Sequence, residues 1–330
     1  MLTDDRQFSG KHVLITGGLG FIGSNLAIRL VHAGANVTIV DSLIPEYGGN
    51  LHSVAEIASN VRLNISDVRD EYSFANLIKD QDYLFNLAGQ TSHVDSMTDP
   101  QTDLAINARA QLSILESCRK HNRDVIVIFA STRQIYGRPQ YLPVDEKHPI
   151  RPVDVNGVNK AAAESFHQVY HDVYGIRACS LRLTNTYGPR MRIKDARQTF
   201  LGVWIRDVVQ GKAFEVWGGE QLRDFNYVDD VVDAMLNGAV TPACLGTAMN
   251  LGGDEALSLR DLAALLVEIH GSGRYDVKPF PDERRSIEIG DYYTDSSRAR
   301  EVLDWFPRVS LRDGLAKTLR FAQENLSYYL

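Results

Sequence analysis

One stretch constrains this chain more than any other: Lys11 to Asp41, KHVLITGGLGFIGSNLAIRLVHAGANVTIVD. An apolar run (Val13, Leu14, Ile15) enters a turn carrying Gly17, Gly20 and Gly23. An amphipathic stretch through Ala33 follows, then a second apolar run, Val37 to Val40, closed by Asp41. The spacing predicts strand, glycine turn, helix and strand, with an acid at the tip of the second strand. Gly17 permits the tight turn, Gly20 lets a pyrophosphate approach the backbone, and Gly23 lets the helix pack close to the strand. The free N–H groups that open the helix face the negative charge. Asp41 is placed to accept hydrogen bonds from both hydroxyls of an adenosine ribose. A 2′-phosphate there would meet a carboxylate, and no Arg follows within the next few residues, so the unit reads as binding NAD rather than NADP.

Strand-like runs recur at 12–16, 37–40, 61–65, 83–87, 125–130 and 178–183. Helical patterns at 71–80, 103–121 and 157–174 separate the last four. Strands alternating with helices pack as a parallel sheet covered on both faces. After 185 the pattern changes to a basic, loop-like stretch (Pro189 to Lys194), a helix near 199–210 and short elements rich in Gly and Pro. Phe225 to Ala239 reads as a strand end and a helix, 248–251 as a short strand. A helix at 258–270, a strand near 275–279 and a terminal helix from about 310 complete the chain. The expected architecture is α/β, a Rossmann-type doubly wound parallel sheet with a smaller discontinuous C-terminal α/β domain. Residues 1–184 plus 224–252 are assigned to the first domain and 185–223 plus 253–330 to the second. A cleft is expected between them, at the carboxyl ends of the strands.

The net charge of −7, with no basic block, argues against nucleic-acid binding. No run of about 18 apolar residues is present, so no membrane span is expected. The opening MLTDDRQFSGKH is polar and acidic and does not read as a secretion signal. Cys118, Cys179 and Cys244 are odd in number and far apart. They suggest neither a disulfide framework nor a metal site and fit a reducing, cytoplasmic setting.

Polar chemistry then appears in order. One strand ends in Ser131-Thr132-Arg133-Gln134-Ile135-Tyr136-Gly137, with hydroxyls at its carboxyl end, where such sheets bind ligands. A helix starts near Asp154-Val155-Asn156-Gly157-Val158-Asn159-Lys160, and LRLTNTYGPR (181–190) and LRDFNYVDD (222–230) follow. With these motifs the chain resembles the extended short-chain dehydrogenase/reductases, in particular the nucleotide-sugar epimerases, dehydratases and decarboxylases. The resemblance runs from about Lys11 to Phe321. TGGLGFIG, including Phe21 and Ile22, matches the family's TGxxGFIG. Asp67-Val68-Arg69 matches the segment whose Asp meets the adenine amino group, and Leu87-Ala88-Gly89-Gln90 the loop that lines the nicotinamide ribose. By the same resemblance Thr132 holds the catalytic Ser/Thr position, Lys160 holds the nicotinamide ribose, and Asn185 contacts the sugar diphosphate. Arg223 and Arg285 match the two arginines that clamp it, a task suited to bidentate guanidinium geometry.

Two departures from the family pattern bear on the reaction. The family's tyrosine base lies four residues before the lysine, and Asn156 stands there. None of the chain's 14 tyrosines has Lys at that spacing, so no shifted copy of the pair exists. An Asn amide hydrogen-bonds a hydroxyl but cannot take its proton near neutral pH. Arg133-Gln134 stands where similar 4,6-dehydratases carry Asp-Glu and glucuronate decarboxylases usually keep the Glu. The segments at 188–191 and 221–225 nevertheless look more like the decarboxylase branch than the galactose-type epimerases. Four residues are candidates for a replacement base: His93, whose imidazole titrates in the right range; Tyr136, structural in relatives; Asp154, which reads as a helix cap; and Lys160. The basic residues Arg190, Arg192, Lys194 and Arg197 either cover the sugar diphosphate or form a solvated loop.

The resemblance implies NAD-dependent modification of a nucleotide-diphosphate sugar through a 4-keto intermediate, foremost a 4-epimerase with a non-standard base. The other readings are a decarboxylase or dehydratase with a relocated base, and a catalytically silent protein that binds NAD and a nucleotide sugar. It further implies a homodimer, in which apolar helix faces (Leu104, Ile106, Leu112, Leu115; Phe166, Val169, Tyr170, Val173) pair across a two-fold axis.

Overall fold

The structure is a computed structural model that describes residues 5–282 and 287–330. Six strands come first: β1 (His12–Thr16), β2 (Asn36–Asp41), β3 (Val61–Ile65), β4 (Tyr83–Asn86), β5 (Ile126–Thr132) and β6 (Arg177–Leu183). Six more follow: β7 (Asn185–Tyr187), β8 (Ala213–Trp217), β9 (Leu222–Tyr227), β10 (Ala248–Leu251), β11 (Ala256–Ser258) and β12 (Arg274–Lys278). Seven of them form one sheet in the order β10-β6-β5-β4-β1-β2-β3, every neighbouring pair parallel. This is the doubly wound α/β architecture expected. The winding reverses between β1 and β4, which opens a crevice at their carboxyl ends. Two small sheets, β11-β9-β7 and β12-β8, stand beside it.

The helices are α1 (Phe21–His32), α2 (Glu71–Leu77), α3 (His93–Thr98), α4 (Pro100–Leu104), α5 (Ala110–His121) and α6 (Val155–Tyr174). Further along come α7 (Phe200–Val209), α8 (Val228–Val240), α9 (Leu259–His270), α10 (Ser297–Leu303) and α11 (Leu311–Tyr329). A parallel sheet must be covered on both faces, which explains its continuous Val/Ile/Leu runs. One face is packed by α1, α8 and α10 through Leu26, Leu30, Met235 and Leu303. The other is packed by α2, α5 and α6 through Phe74, Ile114 and Tyr170. A separate core joins α7, α9 and α11 to β8 through Trp204, Phe214, Leu262 and Leu319.

Three features differ from the sequence expectation. The helix expected over 103–121 is interrupted by a π-helical turn, Ala105–Arg109, between α4 and α5. The wider turn leaves Asn107 free to bridge the Gln90 carbonyl (2.9 Å) and Asp103 Oδ2 (3.0 Å), and Gln111 donates to the Ile106 carbonyl. Such insertions into α-helices are common beside functional sites. Second, Cys179 and Cys244 are joined in a disulfide, which corrects the expectation of no disulfide; Cys118 is free and buried. The parallel pairing of β6 with β10 folds the two distant cysteines together, and no local sequence pattern reports that pairing. Third, the apolar stripes on α4 to α6 divide. Ile106, Leu115 and Tyr170 are buried, whereas Leu104, Leu112, Val169 and Val173 are exposed. Among the described residues no helix is long and apolar enough to cross a membrane.

Candidate active site

A cleft of about 500 Å³ opens at the reversal point, from Asp41 at one end to Arg223 at the other. Gly17 sits in the left-handed region (φ +69°), and a Cβ there would lie 3.0 Å from the Ala88 backbone. A Cβ on Gly23 would lie 2.2 Å from the Gly17 carbonyl oxygen, so only glycine lets α1 start this close to the turn. Gly17, Gly20, Phe21, Ile22 and Gly23 all line the cleft. Asp41 ends β2, with Oδ2 accepting from the Leu19 amide (3.0 Å) and Oδ1 from the Leu43 amide (3.0 Å). Burial raises its carboxyl above the ordinary value, against the pull of those amides. Asp67 and Val68 line the same end, and Arg69 grips Asp67 with two hydrogen bonds that hold its carboxyl below the usual range. A glycine cradle at a helix N-terminus with a carboxylate beside it fits an adenosine pyrophosphate group.

Leu87, Ala88 and Gly89 follow β4 and form the next part of the wall. Thr16 Oγ1 fixes this loop by accepting from the amides of Leu87 (3.0 Å) and Ala88 (3.1 Å). Lys160, on α6, donates to the Ala130 carbonyl (2.6 Å), with its ammonium 4.5 Å from the Phe129 ring centre. Burial pulls its pKa down to about 8, against Asp103 and Glu164. Asn156 lies one turn earlier and is buried. Its amide nitrogen donates to the Gln90 carbonyl (2.8 Å) and to Asp103 Oδ2 (3.1 Å). Asn159 donates to the other oxygen of Asp103 (2.7 Å), and Asn107 also binds Asp103, so the carboxylate ties α4, α6 and the post-β4 loop together.

His93 opens α3, and its ring reaches the cleft wall. Nδ1 lies 2.9 Å from Asp154 Oδ2. Nε2 lies 2.6 Å from the Gln134 amide nitrogen. An amide nitrogen only donates, so Nε2 is the acceptor in this contact, and Nδ1 stands at ion-pair distance from Asp154. Asp154 caps α6 as expected, Oδ1 accepting from the Gly157 amide (2.7 Å). Burial acts to raise its carboxyl, but His93, the Gly157 amide and Arg133 outweigh that and hold it below the ordinary range. Thr132 accepts from the Gln134 amide (3.2 Å), which links Thr132, Gln134 and His93; Lys160 lines the same cleft.

Tyr136 is elsewhere. It is wholly buried, donates to Asn250 (2.7 Å) and accepts from Arg182, and burial pushes its hydroxyl up to about 12. Arg182 is held in turn by Glu164, which also accepts from Ser131 (2.6 Å). Of this network only Ser131 lines the cleft; Tyr136, Arg182 and Glu164 lie behind it.

At the far end Asn185 donates to the Asp224 carbonyl (2.9 Å) and accepts from Arg133 Nη2 (3.3 Å). Arg223 is buried. It donates to Glu288 (2.8 Å) and to the carbonyls of Leu222 and Gly290. Arg285 lies outside the described residues. The basic loop divides: Arg192 and Arg197 line the cleft, paired with Asp195 and, for Arg197, also Asp95. Arg190, at φ +71°, turns away to bind Ser53, Asn25 and Glu56 and straps the loop to α1. Sequence reasoning missed the second partner of Asp154, the hub at Asp103 and the contact between Gln134 and His93.

The NAD dependent epimerase/dehydratase family model matches residues 13–252. The chain belongs to that family. A putative UDP-glucose 4-epimerase from Methanocaldococcus jannaschii is 31% identical over 317 residues, 95% of this chain and 99% of that protein. The solved structure of an epimerase from Methanothermobacter thermautotrophicus superposes with a TM-score of 0.92 at 26% identity, covering 99% of this chain and 96% of that one. UDP-glucose 4-epimerase from Thermotoga maritima, solved with UDP-glucose, gives 0.86 at 28% identity, covering 96% and 99%. The family is NAD-dependent, in agreement with the cradle and carboxylate at the cleft's first end.

Proposed function

We propose that this protein is an NAD-dependent nucleotide-sugar 4-epimerase in which His93, oriented by Asp154, takes the place of the family's tyrosine base. The observation that carries the reading is the placement of His93 in the cleft wall, with Nδ1 2.9 Å from the buried Asp154 carboxylate and Nε2 2.6 Å from the Gln134 side-chain nitrogen. A base held in one tautomer by an acid is poised for proton transfer near neutral pH. Gln134 now fills the position at Nε2 that a substrate hydroxyl would occupy.

The glycine turn, Asp41, Asp67, Val68, the 87–89 loop and Lys160 hold NAD, which when bound supplies the reversible oxidation of the sugar carbon. Thr132 hydrogen-bonds the 4-hydroxyl. His93 Nε2 takes the hydroxyl proton and Asp154 stabilises the imidazolium that results, leaving a 4-keto sugar. The proton returns from the same nitrogen after the ketone has presented its other face. Lys160, charged beneath, stabilises the developing oxyanion. Asn156, at the position of the family's tyrosine, keeps Gln90 and Asp103 in place. Asn185, Arg223 and Arg285 hold the diphosphate. The exposed residues Leu104, Leu112, Val169 and Val173 support a homodimer through α4 to α6.

The test is incubation of NAD-loaded protein with UDP-, dTDP-, CDP- and GDP-sugars, with products read by NMR. Inversion at C4 of at least one sugar is expected. Loss of carbon dioxide or water from the sugar, or no turnover of any of them, would overturn the reading.

A further inference from the structure

Arg133 is a charged residue of the cleft to which the proposed reaction gives no task. It lines the cleft directly after Thr132, and its guanidinium carbon lies over the Tyr292 ring, 4.9 Å from the centre. Nη2 donates to Asn185 at 3.3 Å, whereas Nη1 is buried and has no hydrogen-bond partner among the described residues. Burial and the neighbouring Arg223 lower its pKa to about 10, against the pull of Asp224 and Glu288, so it is a cation at neutral pH, and among the described residues no carboxylate forms an ion pair with it. Arg223 is different, because it already holds Glu288 and two carbonyls. Asp224 lies in the same region, but neither of its buried carboxylate oxygens hydrogen-bonds Arg133. A sheltered guanidinium with an idle donor is costly unless a ligand satisfies it. Its planar fork matches a carboxylate.

The geometry points to a carboxylate on the sugar ring as the partner of Arg133, making the substrate a nucleotide-diphosphate sugar acid. This rests on the nucleotide-sugar reading above. The backbone of Arg133 adjoins Thr132, the residue assigned to the sugar hydroxyl, and its ring stacking and Asn185 contact fix the head group. The diphosphate has Asn185 and Arg223 assigned to it, so a third donor set beside the sugar serves the sugar.

Binding of UDP, UDP-glucose and UDP-glucuronic acid to the NAD-loaded protein tests this by calorimetry. Wild type should bind UDP-glucuronic acid about tenfold or more tighter than UDP-glucose, the scale of one charge-assisted hydrogen bond. Arg133→Gln should abolish that preference and leave UDP affinity unchanged, and Arg133→Lys should restore part of it. Equal affinity of wild type for the two sugars overturns the carboxylate assignment and needs no variant. An equal loss of all three ligands in Arg133→Gln also overturns it, by placing Arg133 on the diphosphate. Where dTDP, CDP or GDP binds in place of UDP, the glucose and glucuronic acid sugars of that nucleotide are the pair compared, and failure of wild type to bind any of the four nucleotides overturns the nucleotide-sugar reading and this inference with it.

Discussion

Asp154→Asn separates the two jobs of one side chain. Oδ1 caps α6 through the Gly157 amide at 2.7 Å, and Oδ2 faces His93 Nδ1 at 2.9 Å. Asparagine caps a helix about as well as aspartate, so the cap survives and the melting temperature should hold within about 2 °C. The charge opposite the imidazole does not survive. A hydrogen bond to a charged group is worth about 1.5–3 kcal/mol, which on the imidazolium formed during turnover corresponds to roughly a 10- to 150-fold fall in kcat. Asp154→Ala should lose the cap as well, about 1 kcal/mol of stability, with at least the same kinetic loss. Turnover followed by NMR, beside calorimetric melting and NAD titration, reads all of these. An Asp154→Asn protein that folds, binds NAD and turns over at the wild-type rate would refute the orienting role.

With Asp41 proposed to hold the adenosine ribose, NAD should bind well ahead of NADP in a calorimetric titration, and Asp41→Ala should weaken NAD more than NADP; equal affinities in wild type would contradict this. Arg182→Met should cost about 3–5 kcal/mol in urea unfolding, because it leaves the buried Glu164 carboxylate without its cation. Burial raises Asp224 to about 6, so its proton is held more tightly in the folded chain than in the unfolded one. Its charge therefore costs stability above pH 6, and the cost fades as the pH falls from about 6 toward 4. Asp224→Asn should melt higher than wild type at pH 7.5, with the difference shrinking by pH 4; a difference independent of pH would contradict the shift.

Much of this molecule was legible in the chain because its signals are local. The β1–turn–α1–β2 unit spans consecutive residues, and strand runs buried on both faces carry their own apolar signature. The cap at Asp154 was legible for the same reason, being set three residues from its partner amide. What escaped depends on contacts between distant segments. The pairing of Asp154 with His93 and the gathering of Asn107, Asn156 and Asn159 on Asp103 arise only when α3, α4 and α6 pack together. The Cys179–Cys244 bond likewise depends on β6 and β10 becoming neighbours. The π-turn in the 103–121 stretch escaped because its apolar spacing is that of an uninterrupted helix. The idle donor of Arg133 is a property of its surroundings, and nothing in its neighbours along the chain announces it.

Whether His93 is the proton acceptor is tested most directly by the rate of C4 inversion in His93→Ala, measured by NMR on protein shown by titration to bind NAD and the nucleotide sugar as wild type does. The rate should fall by about 10²–10⁴-fold, the contribution of a positioned general base. A rate within about twofold of wild type would contradict the assignment and move the proton to another group, with Lys160 the first to be tested.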